Sequence, residues 1–437
     1  MNHGWHCPTF VLEVAQVSDL GMRRMNNQDS LAVIVTDDES KWASRGHLLM
    51  VADGMGAHAA GELASKLATD NIPHTYFKLC DLYPPAALRQ AIREVNALIF
   101  NKGQSSIGFQ GMGTTCSCLV LLPQGALVAH VGDSRVYRLR GHHLAQLTFD
   151  HSLVWEMAAA GQMDEKDVPS YIPKNVITRS LGPHENVNID LEGPFDAAAG
   201  DVFLICSDGL SGQIADPEIG ALLHCLSPEE AVQTLADLAN LRGGPDNISI
   251  VVARVPRDEG PMKKQCSPPL ADTMAGSTTP PSEGLLLPIV SVVALFTLTF
   301  CLVNEWWIAA AVAGVALLTL LGITFSKRGI VGGGGNPVSL GGPYGNGPYR
   351  DTPAEPDDKI IKGLSEQLNR LRGLPAEQGP TIDWKPLDEL IAAGESAAEN
   401  RDYCTAVCRY TEAIRAVMQN FRQHRLKATD ESKDGRV

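Results

Sequence analysis

Four aspartates, each beside or close to glycine or asparagine, are spread over about two hundred residues of this 437-residue chain: Asp29 in NNQDS, Asp53 in VADGMGAH, Asp208 in CSDGLSG and Asp246 in GGPDNIS. Asp53 and Asp208 each end an apolar run, HLLMVAD and DVFLICSD. That pattern predicts a carboxylate at a strand tip, with the following glycine allowing a sharp turn. A single Asp-Gly is a turn. Several carboxylates gathered at strand ends, with an arginine upstream, make a site for a hard cation, because magnesium and manganese prefer oxygen ligands and suit phosphate chemistry.

The elements that must position these residues alternate in character. VLEVAQV, LAVIV and HLLMVA read as strands, and AAGELASKLATDN reads as an amphipathic helix opening beside Asp53. A second helix is predicted over residues 84–102. TTCSCLVLL and ALVAHVG, joined by Pro-Gln-Gly, read as a hairpin, and RVYRLR as a further strand. Antiparallel strands with segregated helices point to the α+β class.

Composition narrows the functional classes. The formal net charge of −14 argues against nucleic-acid binding through a basic surface. Ten cysteines without a CxxC pair point to a reduced interior rather than a disulfide framework, with the thiols acting as small buried apolar groups.

In chain order, GMRRMNNQDS, VADGMGAHAAGE, GMGTTCSCLVL, HVGDSRVYRLR, LTFDHSLV, VITRSLG, SDGLSG and GGPDNISIVV resemble the successive motifs of the metal-dependent serine/threonine protein phosphatases of type 2C, the PPM family. The likeness spans residues 11–255 and is strongest to the bacterial branch, where DGMGGH replaces the DGH of animal enzymes. The resemblance implies two stacked antiparallel β-sheets flanked by α-helices, an α-β-β-α sandwich, with the metals in a cleft at one edge. It also implies two Mn2+ or Mg2+ ions and a weak third. Asp53 would bridge both central ions, Asp208 and Asp246 would complete the ligands of the first, and the Gly54 carbonyl would serve the second. Asp133 in VGDSR matches a residue of the third site. Asp29 would orient a metal-bound water, and Arg24 would grip the substrate phosphate, a role that suits a planar bidentate donor; the adjacent Arg23 is out of register. A water bridging the two cations would attack phosphorus directly, with no covalent intermediate.

Departures from the family pattern qualify this assignment. Gln28 stands where many relatives carry glutamate, and Met55 where animal enzymes have a histidine acid, leaving leaving-group protonation to water or to His58. Ala57 replaces a glycine, and Gly212 occupies the place of a carboxylate that helps hold the third metal. Gln28 and His58 are therefore supporting residues, and the third site is the weakest part of the pattern. Residues 147–182 resemble the flap beside the cleft. Within that stretch His151 offers a candidate base, yet the resemblance gives it a structural place in the DHS turn; outside it, Thr114 and Thr115 resemble part of the core near the site.

Past residue 257 the composition changes. The expected division is a disordered N-terminus over 1–10, a catalytic domain over 11–257, a Pro/Ser/Thr-rich linker over 258–284, a transmembrane hairpin over 285–325, a Gly/Pro-rich linker over 326–357 and a helical domain over 358–437. Residues 285–303 and 308–325 are each about 18 residues of apolar sequence, roughly 28 Å as helix, enough to span a bilayer core. Trp306 and Trp307 fall at the interface. Lys263 and Lys264 before the pair, with Lys327 and Arg328 after it, put both termini on the cytoplasmic side. In the tail, residues 359–374 are amphipathic, and residues 386–427 read as two helices broken near Asn400, Arg401 and Asp402. Gly394, Tyr403, Ala406, Tyr410 and Ala413 have the spacing of one tetratricopeptide repeat. Cys404 and Cys408, one turn apart, have a spacing that a metal could use, but fit a small-residue packing stripe better.

The expectation is a membrane-tethered phosphatase that hydrolyses phosphoserine and phosphothreonine on cytoplasmic proteins and opposes a serine/threonine kinase. The hairpin would contact lipid and the tail a protein partner, with no nucleic acid involved. The alternative is a catalytically idle phosphatase fold serving as an interaction module at the membrane.

Overall fold

The structure is a computed structural model that describes residues 11–56, 59–161, 176–256, 340, 342–373 and 382–434. The described residues belong to one compact unit.

Two antiparallel sheets form its centre. The first has the order β1 (Glu13–Asp19), β11 (Ile248–Arg254), β10 (Val202–Cys206), β7 (Arg135–Arg140), β8 (His143–Gln146) and β12 (Arg350–Pro353). The second runs β2 (Asp29–Ile34), β3 (His47–Met55), β5 (Cys116–Leu122), β6 (Gly125–Val131) and β9 (Asp190–Phe195), with the short β4 (Gly113–Thr114) also paired to β3. The hairpin expected around Pro-Gln-Gly is β5–β6, closing at Leu122 opposite Gly125.

Strand alternation builds the layers. Leu49 and Val51 of β3, Leu119 and Leu121 of β5, and Phe203 and Ile205 of β10 share one buried cluster between the sheets. The neighbours in sequence, Leu48, Met50 and Ala52, turn the other way onto α2 (Ala60–Lys78) and α3 (Pro84–Gln104). On the far side, α6 (Asp216–Cys225) and α7 (Pro228–Leu241) cover the first sheet. The Ser227–Glu230 capping box starts α7 directly after α6, and Pro228 sits where its missing N–H costs nothing. The α+β sandwich expected from the sequence is therefore present.

The C-terminal half differs from expectation. Residues 342–357 are not a free linker. Tyr344 exchanges backbone hydrogen bonds with Gly193, its N–H reaching the Gly193 carbonyl at 2.6 Å. The Tyr349 hydroxyl donates to the buried Glu192 at 2.5 Å, and β12 pairs with β8 from Arg350 opposite Gln146 to Pro353 opposite His143. The segment lies so close to α6 that a Cβ on Gly220 would meet the Ala354 methyl at 2.5 Å.

The helical tail is not a separate domain either. It comprises α8 (Asp358–Arg372), α9 (Lys385–Glu399) and α10 (Tyr403–Asp434), with the break at Asn400, Arg401 and Asp402 as the sequence indicates. Gly394 lets α9 approach the Tyr410 ring, where an added Cβ would come within 3.0 Å. Yet Ile360, Leu364, Ala406, Val407, Ile414 and Val417 are buried in the same cluster as Leu222 and Leu235 of α6 and α7. A lone helical pair has too little core to stand alone, and α6 and α7 supply the missing surface. Polar contacts fix the docking: Arg415 donates to Thr234 at 2.9 Å and pairs with Glu230 at 3.0 Å, and Arg422 pairs with the buried Asp237. Cys408 donates to the Cys225 carbonyl at 3.4 Å, so it packs against α6 and not into a metal site.

Burial raises Asp237 from 3.8 to about 6, against the opposing pull of Arg422. Because the folded state holds this proton more tightly than the unfolded chain, the associated stability is present below 3.8 and is lost as pH rises through about 6. Arg422→Ala removes the opposing charge, so the loss extends to higher pH. The variant should be about 1–3 kcal/mol less stable than the parent near neutral pH and closer to it in acid. Urea unfolding of both chains at the two pH values measures this, and a deficit independent of pH would contradict it.

Among the described residues no helix is long and apolar enough to cross a membrane. Residues 285–325, where the hairpin is expected, lie outside the described residues, as do 1–10 and 258–284.

Candidate functional site

The acidic residues meet where the ends of both sheets come together. Asp29 opens β2 and lies directly across from Asp53 of β3 in the antiparallel register. Asp208 begins α5 (Asp208–Ser211), the single turn after β10, and Asp246 precedes β11. Asp133 follows β6 at the same end.

Each position is fixed by local packing. The Asp53 N–H donates to the Thr115 hydroxyl at 2.8 Å, and the Asp53 carbonyl accepts from the Thr115 N–H at 2.8 Å and the Thr114 hydroxyl at 2.9 Å. Ser207 donates its hydroxyl to Asp29 at 2.8 Å, and its oxygen accepts the Ser249 N–H at 3.0 Å. Asn247 ties the N-terminal loop to β11: its amide donates to the carbonyls of Leu20 at 2.9 Å and Asn26 at 3.1 Å, while its oxygen accepts the Gln28 N–H at 2.8 Å.

The two glycines after Asp53 and Asp208 serve close approach rather than the sharp turn expected. β3 continues through Gly54, where a Cβ would meet the Gly61 carbonyl oxygen at 2.1 Å; at Gly209 it would meet the Asn247 oxygen at 1.9 Å. Neither site tolerates a side chain without displacing backbone.

Crowded carboxylates dominate the electrostatics. Burial first, then the charge of Asp29, pushes Asp53 well above the usual carboxylate range. Burial raises Asp29 to about 7 against the pull of Ser207, and raises Asp133 to about 8 with Asp208 adding to it. Asp208 is raised by burial and by Asp246. One oxygen each of Asp133 and Asp208 is buried without a hydrogen-bond partner. Mutually repelling carboxylates with orphaned oxygens fit a divalent cation with oxygen preference. Among the described residues no three acidic, histidine or cysteine side chains already close around one point, so the neighbouring carboxylates do not form a finished cage.

The cleft has a volume of about 480 Å3, and Arg24, Asp133, Asp208 and Asp246 line it together with Arg135 and Trp155. Arg24 donates to Asp246 at 2.6 Å, its guanidinium half exposed at the cleft. Gly212 ends α5 with its N–H on the Asp208 carbonyl, again at the cleft. The Gln28 side chain donates to the Gly56 carbonyl at 3.4 Å. His58 and Ala57 lie outside the described residues, as do residues 162–175 of the expected flap. His151 is structural. Its Nδ1 accepts from the Gly132 N–H at 2.9 Å, which leaves Nε2 to donate to Asp190 at 2.9 Å.

Sequence reasoning missed Ser207 and Ser249, which hold Asp29, and Arg135, which is buried against Asp150 at 2.7 Å and lies over the Trp155 ring. The only local signal for Arg135 is its position two residues after Asp133.

Comparison with known proteins gives a consistent result. The family model described as protein phosphatase 2C matches residues 22–240. The chain is 37% identical over 246 residues to a putative protein phosphatase 2C-type of Streptococcus pyogenes, covering 55% of this chain and 96% of that protein. It is 34% identical over 241 residues to the serine/threonine phosphatase stp of Listeria monocytogenes, covering 54% and 92%. Among solved structures, the serine/threonine phosphatase of S. agalactiae is 32% identical, with a TM-score of 0.50 over 56% of this chain and 100% of that one.

Proposed function

The chain belongs to the protein phosphatase 2C family of serine/threonine protein phosphatases, and on that premise we propose that it hydrolyses phosphoserine and phosphothreonine on proteins with two divalent cations held in the carboxylate cleft. The observation that carries this reading is the mutual repulsion of Asp53, Asp133, Asp208 and Asp246, with one buried oxygen each of Asp133 and Asp208 lacking a partner. The family uses divalent metals.

In this proposal Asp53, Asp208, Asp246 and the Gly54 carbonyl would hold the two central cations, and Asp133 would serve a weaker third. When bound, the cations supply charge neutralisation at the phosphoryl group and an activated water nucleophile at neutral pH. The chain's own residues do the rest. Arg24 binds the phosphate oxygens through its planar guanidinium, exchanging its Asp246 partner for substrate. Asp29, fixed by Ser207, orients the attacking water by hydrogen bonding. The Thr114 and Thr115 contacts hold the Asp53 backbone still, so that its carboxylate needs no reorganisation during reaction.

The setting is also proposed. The apolar spans at 285–303 and 308–325, flanked by lysine and arginine, support a membrane hairpin that keeps the catalytic unit and the tail on the cytoplasmic side. Phosphoprotein substrates imply an opposing serine/threonine kinase.

The test is phosphate release by the full chain from phosphothreonine, phosphoserine and phosphotyrosine peptides, with manganese and then with excess chelator. The expected result is release from the first two peptides that chelation abolishes. Release unaffected by chelator would overturn the metal mechanism, and no release from any peptide would favour the idle interaction module.

A further inference from the structure

The cleft wall contains one residue that the rest of the fold holds in an unusual way. Trp155, in α4 (Leu153–Ala159), lines the cleft with Asp208 and Arg24 yet is itself buried. Two guanidinium groups lie over its ring, that of Arg135 at 5.4 Å and that of Arg350 at 4.5 Å. The edge of Phe149 closes on it at 5.9 Å, and Phe149 in turn packs against Tyr349 at 5.4 Å.

Arg350 and Tyr349 come from the C-terminal side of the chain, outside residues 22–240 that match the family. β12 brings them there by pairing with β8, and the Tyr349 N–H is anchored on the Gln146 carbonyl at 2.8 Å. Gln146 then donates its side chain to Asp150 at 2.8 Å, the same carboxylate that holds Arg135. Arg350 also reaches Asp216 at 3.5 Å, and Arg135 reaches that residue at 3.7 Å. The C-terminal strand is thus wired into the cleft wall through a shared pair of carboxylates and a shared indole.

We propose that Arg350 is a positioning residue for substrate selection: by stacking on Trp155 from the C-terminal strand, it fixes the cleft wall against which the peptide flanking the phosphorylated residue packs. Arg350 does not touch the reacting phosphate. Its influence passes through Trp155, so a substrate without a peptide does not sense it. This rests on the phosphatase reading of the cleft. A planar, weakly hydrated guanidinium stacks on an indole far better than an ammonium, so Arg350→Lys keeps the charge near Asp216 but not the full stacking.

The experiment compares the full chain with Arg350→Ala, Arg350→Lys, Trp155→Ala and the double variant Arg350→Ala/Trp155→Ala, using para-nitrophenyl phosphate and a phosphothreonine peptide in manganese. Activity of the parent on para-nitrophenyl phosphate establishes the phosphatase reading independently. For Arg350→Ala the expected result is a KM for the peptide raised about fivefold at near-constant kcat, with para-nitrophenyl phosphate turnover unchanged. Arg350→Lys should fall between. In the Trp155→Ala background, Arg350→Ala should produce no further rise. Equal losses on both substrates, no effect on the peptide, or an Arg350 effect that persists without Trp155 would each overturn the proposal. A melting scan separates a folded variant from an unfolded one, and Arg350→Lys carries the test if Arg350→Ala does not fold.

Discussion

Asp208→Asn is expected to lower manganese-dependent phosphate release by about a thousandfold while raising the melting temperature of the cation-free chain. The first effect follows from removing one of the charges that hold cations in a water-poor site, where preorganised electrostatics are worth the most. The second follows from the state of the site without cations. Asp208 is pushed up by burial and by Asp246, and one of its oxygens has no hydrogen-bond partner. Asparagine keeps the shape and removes the repulsion, so a gain of about 2–4 °C is expected in chelator. Excess manganese should stabilise the parent more than the variant, because binding to the folded state alone shifts its stability. Opposite signs for activity and stability mark a functional cluster. A merely structural aspartate would lose both, and that result in a thermal scan with a parallel phosphate assay would contradict the account.

Ile414→Ala should destabilise the whole catalytic unit by about 2–5 kcal/mol, in a single unfolding transition. Ile414 is fully buried among residues of α6 and α7, not only among its own tail neighbours. The tail and the first sheet therefore share one core, and a cavity at Ile414 is a cavity in the phosphatase unit. Urea unfolding followed by far-UV circular dichroism and by loss of phosphate release should give coincident midpoints, both lowered. A separate tail domain would instead melt first, leaving the activity midpoint where it was.

Much of the site was legible because its residues announce themselves by type and neighbour. The aspartates, Arg24 and the threonines of the β4–β5 segment fall together in space as their motifs suggest. The role of glycine was misjudged because an Asp-Gly pair is the same string whether the glycine turns the chain or makes room for another backbone. Only the contact of Gly54 with Gly61 and of Gly209 with Asn247 distinguishes the two. Ser207 and Ser249 escaped notice because their partner, Asp29, is distant in sequence.

The C-terminal region was read correctly in its helices and incorrectly in its attachment. Helical periodicity and the break at residues 400–402 are local signals, and both survive in α9 and α10. GGPYGNGPYRDTP has the composition of a linker, but its order comes from β8 and Glu192, far away in the chain. The apolar face of α8 gave no hint of whether α10 alone or α6 and α7 would cover it. Long-range pairing of this kind leaves no periodicity to read.

The central claim is that the buried carboxylates are kept together for divalent cations, and calorimetric titration of manganese into the full chain at neutral pH, with Asp53→Asn titrated in parallel, tests it most directly. The account predicts saturable binding of two ions to the parent and loss of that binding when the bridging carboxylate is replaced. No binding to the parent, or the same binding to both chains, would contradict it.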